Sequence, residues 1–235
     1  MKQKKNSSLR SKQVALLVDV CHRLATRGFV AAMDGNVSAR LPNGNILVTR
    51  SGVNKGAVGP EDFVEVSPGG RSVSKSWAAS TEVMMHLLIY RERQDVHAVV
   101  HAHPPTATGF AVARIPLEEC LLPEVIVGLG AIPLAAYATT STDEVARSIR
   151  PFVKRAQAIL LANHGVVAYG RDPLDAFFKM EKVEHAAQIT LVARMLGGAV
   201  PLTEEELEKL RRVSAKSYGV SLDDRLPCRP KRNRS

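Results

Sequence analysis

The segment at residues 35–52, GNVSARLPNGNILVTRSG, constrains the fold more than any other part of the chain. Two short stretches with strand character flank the tetrapeptide PNGN, and an Asn-Gly pair suits the positive backbone φ angles of a tight hairpin turn. The stretch at residues 156–170, AQAILLANHGVVAYG, also has the pattern of a buried strand pair. We therefore expect a sheet that contains antiparallel hairpins.

Helical patterns alternate with these strand pairs. Residues 11–27 place apolar side chains on one helical face, and Thr203 followed by Glu206 is the signature of a capping box. Helices are predicted for residues 11–27, 80–93 with Ser80 as the N-cap, 105–113, 173–196 and 203–217, and further strands for DFVEVS and VHAVVHAH. No GxGxxG motif follows a strand. The pattern predicts an α/β fold with a mixed sheet covered by helices, and it disfavours a doubly wound parallel sheet.

The positive charge of the chain is concentrated at its two ends. Residues 1–12 and 225–235 each hold five lysines or arginines and no acid, so removing these ten charges from the net +9 leaves the body at −1. We expect a basic disordered tail at 1–11, a single domain at 12–222 and a basic C-terminal tail at 223–235. A polyanion-binding protein that acts through these tails is one non-enzyme alternative.

Cysteine spacing and hydropathy indicate the compartment. Cys21, Cys120 and Cys228 are widely separated, which predicts neither a disulfide framework nor a CxxC metal site. No apolar run approaches the roughly 20 residues of a membrane span, and no apolar stretch follows the N-terminal charges as it would in a secretory signal. We expect a cytoplasmic protein with no membrane association and no specific nucleic-acid partner.

The sequence HAVVHAHPP at residues 97–105 is the strongest chemical signal. Side chains alternate along a strand, so His101 and His103 share a face and could deliver two imidazoles to one ion. A catalytic Zn²⁺ usually takes three protein ligands, and His164, which follows another apolar run and precedes a glycine, is the candidate for the third. The alternative is a strand end with ordinary polar residues. For His97, at the start of the strand, a surface or structural role is favoured.

Small and acidic residues next to these strands suggest an anion pocket. Ser80 and Thr81 combine hydroxyls with free backbone N–H groups at a helix start, and Glu82 follows them one turn before His86. The small-residue turns DGNVSAR and TRSGVNKG offer backbone amides of the kind that cradle phosphate. They carry Asn36, Ser38, Ser51 and Gly52. Read singly, each of these features is better explained as a plain helix cap or a hairpin turn.

Taken together, the motifs GNVSAR, TRSG, STE, HAVVHAHPP, LLPEVIVGLG, YATTST and LLANHGVVAYG occur in an order and spacing that resemble the class II aldolase/adducin family. The resemblance covers roughly residues 12–222 and is strongest to the L-fuculose-1-phosphate aldolase type. It implies a three-layer α/β/α fold with a central mixed, largely antiparallel β-sheet. It also implies a homotetramer with active sites at subunit interfaces.

The resemblance assigns roles to individual residues. One divalent metal ion per subunit, Zn²⁺ with Mn²⁺ or Co²⁺ as alternatives, is implied at His101, His103 and His164. Glu82 is implied to be both a metal neighbour and the catalytic acid/base, and Tyr218 is implied to close over the site and assist protonation. The implied substrate phosphate-binding residues are Gly35, Asn36, Ser51, Gly52, Ser80 and Thr81. A second family tyrosine is missing near CLLPE, where Glu124 stands instead.

The implied activity is that of a lyase. The chain is expected to cleave a ketose 1-phosphate, such as L-fuculose 1-phosphate or a 5-deoxypentulose 1-phosphate, to dihydroxyacetone phosphate and an aldehyde through a metal-stabilised enediolate. The alternatives on the same scaffold are a methylthioribulose-1-phosphate dehydratase and a pentulose-phosphate 4-epimerase. The epimerases usually carry Asp where Glu82 stands. An adducin-like head without catalysis is a further alternative, although such heads lack a complete histidine triad.

Overall fold

The computed structural model describes residues 2–73 and 77–230. The helices are α1 (Lys2–Thr26), α2 (Val83–Glu92), α3 (Pro105–Val112), α4 (Pro123–Gly128), α5 (Asp143–Val153), α6 (Pro173–Met195) and α7 (Glu204–Val213). The strands are β1 (Asn36–Arg40), β2 (Ile46–Thr49), β3 (Phe63–Val66), β4 (Ala98–Ala102), β5 (Leu134–Ala135), β6 (Ala158–Leu161) and β7 (Gly165–Gly170). Helix α4, helix α5 and the two-residue strand β5 were not predicted from the sequence.

The strands form one seven-stranded mixed sheet in the order β3-β2-β1-β4-β7-β6-β5. Both predicted hairpins are confirmed, with Ser38 opposite Val48 in the first and Ile159 opposite Val167 in the second. Of the pairs that the described strands form, β5 with β6 is parallel and the others are antiparallel. The prediction of a mixed, largely antiparallel sheet is therefore confirmed.

Helices cover the sheet on both faces, which gives the three layers that the resemblance implied. Helices α1, α3 and α6 pack on one face against alternate strand residues such as Val37 and Val100. Helices α2 and α5 pack on the other face against the intervening residues, such as Val99 and Val167. Because β4 is buried on both faces, its sequence is an almost continuous apolar run. His101 lies inside that run, so burying it needs a compensating partner.

The N-terminal segment departs from the predicted disordered tail. Helix α1 begins at Lys2 and continues through residues 2–11 without interruption. Lysine, glutamine and arginine are good helix formers, and each residue added to an existing helix contributes a further hydrogen bond. The predicted helix at 11–27 is thus confirmed in type and extended at its start.

The C-terminal segment was also predicted to be a free tail, and the structure binds it to the body as far as Pro230. Cys228 forms a disulfide with Cys120, 108 residues earlier, and the Ala131 amide donates to the Leu226 carbonyl. The prediction that the cysteines form no disulfide is therefore wrong, because the C-terminal segment folds back across the start of α4. Residues 231–235 lie outside the described part of the chain.

This disulfide removes the cysteine pattern as a reason for a cytoplasmic location, which stays a prediction. In the described part of the chain, none of the helices combines the length and the hydropathy needed to span a bilayer.

Candidate metal centre and adjoining cleft

Antiparallel pairing brings distant parts of the sequence to one edge of the sheet. The start of β1 lies beside the end of β4, with Asn36 opposite His101. The start of β7 lies on the other side of β4, with Val166 opposite Ala102, so the β6–β7 turn that carries His164 meets the same strand end. The end of β2 joins this edge because it pairs with the start of β1.

The three predicted histidine ligands come together at this edge. The nearest ligand atoms of His101, His103 and His164 all lie within 4.8 Å of one another. The Nε2 atoms of His101 and His103 are 3.1 Å apart. Each ring meets the other two at an angle rather than stacking flat. Three imidazole edges therefore converge on one point, two from the end of β4 and one from the β6–β7 turn.

The surroundings of these rings suit a metal ligand set. The Nδ1 atom of His101 lies 2.9 Å from the Val166 carbonyl oxygen, so this nitrogen carries a proton and Nε2 is the ring nitrogen that faces the cluster. Burial, together with the neighbouring His101 and His164, lowers the pKa of His103 to about 3. His103 is thus held neutral, as a metal ligand must be. His97 is exposed at the start of the strand and takes no part.

Glu82 lies against the histidine cluster. Its Oε2 atom is 3.3 Å from His101 Nε2, and its Oε1 atom is 3.2 Å from His164 Nε2. The Asn36 side-chain amide donates to Oε2 at 2.9 Å. Burial alone would raise the pKa of Glu82, but His101 and His164 outweigh it and hold this pKa well below its usual range. The carboxylate is therefore charged and directed at the point where the imidazoles meet.

The approach to Glu82 differs from the predicted helix start. Helix α2 begins at Val83 with Glu82 in the capping position, not at Ser80. Before the turn at Thr81 and Glu82, residues 78–80 run along the end of β2. The Ser51 amide donates to the Ala78 carbonyl, and the Ser80 amide donates to the Thr49 carbonyl. These bonds place Ser80 and Thr81 beside the turn that carries Ser51.

His86 lies behind the cluster on the next turn of α2 and is fully buried. Its Nδ1 atom is 2.7 Å from the Ser38 hydroxyl, which is in turn 2.7 Å from the Tyr90 hydroxyl. Its Nε2 atom is buried without a hydrogen-bond partner in the described part of the chain. Burial lowers the pKa of His86 to about 3, with a further contribution from His101. This geometry gives His86 a supporting position behind the cluster rather than a place in the ligand set.

An open cleft of about 310 Å³ adjoins the cluster. All six predicted phosphate-binding residues line it, together with Glu82, His103 and His164. Sequence reasoning missed six further lining residues: Met33, Asp34, Arg50, Lys55, Thr140 and Ser141. Thr140 and Ser141 belong to the YATTST motif, which carried the family resemblance but was given no role.

Two of the turns in the cleft use unusual backbone conformations. Gly35 has φ +72°, and a Cβ atom there would lie 2.7 Å from Val30 Cγ1 and 2.8 Å from the His101 carbonyl oxygen. Ser141 also has a positive φ, 63°, which is uncommon for a residue with a side chain. Its hydroxyl lies 2.7 Å from the Thr81 hydroxyl. The YATTST segment is thereby joined to the Ser80–Thr81 turn.

Lys55 is buried although it lies in a turn of the chain. Its side chain is only 2% exposed and lines the cleft. The turn folds inward because the Lys55 ammonium donates to the carbonyls of Met33, at 2.7 Å, and Val53, at 2.8 Å. The small-residue character of TRSGVNKG was the one sequence signal for this turn, and it does not indicate where the lysine points.

Two residues with predicted roles lie away from the cleft. Tyr218 ends a π-helical turn at Ser214–Tyr218, is 66% exposed and does not line the cleft of its own chain. Glu124 lies in the first turn of α4, is exposed and does not line it either.

Comparisons with known proteins identify the family. The family described as Class II Aldolase and Adducin N-terminal domain matches residues 15–191. An L-fuculose phosphate aldolase of Methanococcus maripaludis strain C5 is 31% identical over 180 residues, which cover 77% of this chain and 96% of that protein. A 3-oxo-tetronate 4-phosphate decarboxylase of Escherichia coli K12 is 31% identical over 170 residues, covering 71% and 80% of the two chains. A solved structure of an L-fuculose 1-phosphate aldolase superposes with a TM-score of 0.79 at 30% identity, covering 91% and 97%.

Proposed function

The chain belongs to the class II aldolase and adducin family and is a class II aldolase lyase, and from this premise we propose that it reversibly cleaves a ketose 1-phosphate to dihydroxyacetone phosphate and an aldehyde. One observation carries the proposal: a single cleft joins a charged carboxylate and three converging imidazoles to turns rich in hydroxyls and backbone amides. The carboxylate and the imidazoles suit proton transfer beside a cation, and the turns suit binding of a phosphate.

His101, His103 and His164 would hold one divalent ion, and we propose Zn²⁺ because three imidazoles with an open position are a common catalytic zinc set. When bound, such an ion supplies Lewis acidity that stabilises negative charge developing on substrate oxygens. Val166 fixes the tautomer of His101 through its carbonyl, and Asn36 orients Glu82. The ligand set is therefore already arranged by the protein.

Glu82 is the group that would move a proton. Breaking the bond between C3 and C4 turns the C4 hydroxyl into an aldehyde and leaves an electron pair on C3. In the synthetic direction the charged Glu82 removes a proton from C3, and the aldehyde oxygen gains a proton as the new bond forms. In the cleavage direction the C4 hydroxyl loses that proton as the bond breaks, and Glu82, after taking a proton from solvent, gives it to C3. Its low pKa and its contacts with His101 and His164 keep it charged and beside the proposed metal ligands.

The turns at the other end of the cleft would bind the phosphate. The hydroxyls of Ser51, Ser80 and Thr81 and the backbone of Gly52 line it together with Gly35 and Asn36. Backbone amides and hydroxyls of this kind bind phosphate oxygens without needing an aromatic or strongly apolar wall. A volume of about 310 Å³ suits a small phosphorylated sugar.

We further propose a homotetramer with active sites at subunit interfaces, and a cytoplasmic location. Tyr218 lies outside the cleft of its own chain, so its role in protonation depends on movement of the C-terminal segment or on a neighbouring chain. Glu124 is also outside the cleft. The identity of the aldehyde therefore depends on residues that a single chain does not assemble.

Dehydration of methylthioribulose 1-phosphate is the second candidate, because it also acts on a ketose phosphate and needs an acid/base at the same position. A relative that decarboxylates a 3-oxo-tetronate 4-phosphate adds a third reaction on the scaffold. Glu82 favours the aldolase over the epimerase, and the complete histidine triad argues against an adducin-like binding protein.

The test is an assay of purified, zinc-loaded protein for release of dihydroxyacetone phosphate from L-fuculose 1-phosphate, ribulose 1-phosphate and 5-deoxyribulose 1-phosphate. The matched pair His101→Asn and His97→Asn separates the ligand from an exposed histidine near the start of the same strand. We expect the first variant to lose metal and activity and the second to keep both. Metal-loaded protein that dehydrates methylthioribulose 1-phosphate and releases no dihydroxyacetone phosphate would rule out the aldolase.

A further inference from the structure

Lys55 is a buried cation at the wall of the cleft with no carboxylate to neutralise it. It follows Ser51 and Gly52 in the same turn, and it is 2% exposed. Among the described residues, no carboxylate lies within ion-pair distance of its ammonium. Taking a charge out of water is unfavourable unless a partner compensates for it. Burial of the Lys55 ammonium is therefore unfavourable unless another group compensates for its charge.

Hydrogen bonding explains only part of the arrangement. The Lys55 ammonium donates to the Met33 and Val53 carbonyls, at 2.7 and 2.8 Å. An ammonium has three protons to donate, so one remains after these two bonds. The two carbonyls are neutral and leave the charge itself uncompensated. Burial accordingly lowers the pKa of Lys55.

The other charged groups nearby offset this charge only in part. Asp34 and Glu82 attract the Lys55 ammonium and act to raise its pKa, but burial outweighs them. Cys21 is close enough to interact with Lys55, but burial raises the pKa of its thiol to about 12, so it stays neutral. Arg50, the other cation that lines the cleft, is already bound to Asp62 through a 2.6 Å contact. The carboxylates that line the cleft are Asp34 and Glu82, and both would repel a phosphate. A dianion entering this cleft thus meets Lys55 as its one uncommitted cation among the described lining residues.

We propose that the Lys55 ammonium donates its third proton to a phosphate oxygen of the ligand and is the fixed counter-charge of the phosphate end of the cleft. The ligand bridges Lys55 and the hydroxyl-bearing turns at Ser51 and Ser80. Neutral amides alone would hold the phosphate less tightly than amides together with a charged donor. The inference rests on the proposed function in so far as the ligand is a phosphoester. It does not depend on which bond of that ligand is broken.

The test measures binding of inorganic phosphate to the zinc-loaded full chain by titration calorimetry. Lys55→Gln removes the charge and keeps a hydrogen-bond donor, and Lys209→Gln, on the exposed face of α7, is the matched control. Loss of a charge-assisted hydrogen bond should weaken phosphate binding roughly tenfold or more. The control should bind phosphate like the unmodified chain. If Lys55→Gln loses thermal stability but binds phosphate as tightly as the control, the lysine only ties the turns together and the inference is wrong.

A crystal structure of the unmodified, zinc-loaded protein with inorganic phosphate tests the same inference without a variant. We expect a phosphate oxygen within about 3.2 Å of Lys55 Nζ. Phosphate bound elsewhere, or bound in the cleft beyond that distance, overturns the inference even if Lys55→Gln fails to fold.

These outcomes are distinguishable from failure of the proposed function. If phosphate binding depends on Lys55 while none of the ketose 1-phosphates is cleaved, the cleavage reaction is wrong and the phosphate contact stands. If cleavage proceeds while phosphate binds equally to Lys55→Gln, the contact is wrong and the reaction stands.

Discussion

The ring of His103 occupies the space that a side chain on Gly165 would need. A Cβ atom built on Gly165 would lie 2.4 Å from His103 Cδ2 and 2.7 Å from the Ala102 carbonyl oxygen. The positive φ in this turn belongs to Asn163, at 56°, and not to Gly165. Gly165 is therefore required for the close packing of β7 against a metal-ligand candidate.

Substitution of this glycine should disturb the metal centre. In Gly165→Ala, His103 has to move away from His101 and His164, and displaced ligand geometry typically weakens metal affinity about 10- to 100-fold. Zinc affinity measured against a competing chelator is the readout. Gly109→Ala is the control, because that glycine lies in α3 with nothing within 4 Å of its Cβ position. Unchanged zinc affinity in Gly165→Ala would mean that His103 is not a ligand.

Much of the centre could be predicted from the sequence because the information is local. Strand alternation pairs His101 with His103, an apolar run before a turn marks His164, and the resemblance adds Glu82. The described structure brings these four residues together. Their convergence needed long-range pairing, which alternation alone does not specify.

What the sequence did not reveal depends on contacts between distant segments. Lys55 looks exposed in a turn until the carbonyls of Met33 and Val53 are seen to draw it inward. The Cys120–Cys228 disulfide depends on the C-terminal segment folding back over 108 residues. Helix α5 contains Pro151, which disfavours a helix by local rules, and packing against α2 and β6 stabilises it nonetheless.

Replacing Glu82 by glutamine should separate metal binding from proton transfer. Glutamine keeps the size of the side chain, and the three imidazoles that hold the ion are untouched, so metal content should stay close to that of the unmodified protein. The loss of the acid/base should lower kcat by about a hundredfold or more. Metal analysis and steady-state kinetics on the same preparation are the measurements. Full turnover with full metal content would contradict the role assigned to Glu82.

Reduction of the Cys120–Cys228 disulfide should lower the stability of the protein. The bond holds the C-terminal segment against α4, and disulfides that close loops of this size typically contribute about 2–4 kcal/mol. Urea unfolding with and without dithiothreitol should therefore give different free energies for the unmodified chain. The Cys228→Ser variant should show no such difference. Unreduced, denatured protein should titrate as a single free thiol, that of Cys21, and three free thiols would contradict the bond.

The burial of His86 predicts how stability depends on pH. Burial lowers the folded-state pKa of His86 from 6.5 to about 3, so between these values the unfolded chain binds a proton that the folded chain does not. The stabilising effect of a neutral His86 is complete above pH 6.5 and is lost as the pH falls through this window. Between pH 6.5 and about pH 3, each unit of acidification lowers the folding equilibrium constant by up to about tenfold through His86.

The measurement is the free energy of urea unfolding at about pH 7 and about pH 5 for the unmodified chain, His86→Gln and His97→Gln. Glutamine at position 86 can still bond to the Ser38 hydroxyl but does not titrate, so this variant should lose less stability on acidification than the unmodified chain. His97 is exposed, so its replacement should leave the pH dependence unchanged. Because the metal ligands are the same in all three proteins, their contribution cancels in the comparison. An identical pH dependence in His86→Gln and the unmodified chain would mean that His86 is protonated in the folded protein, with Nε2 bonded to a group that compensates for its charge.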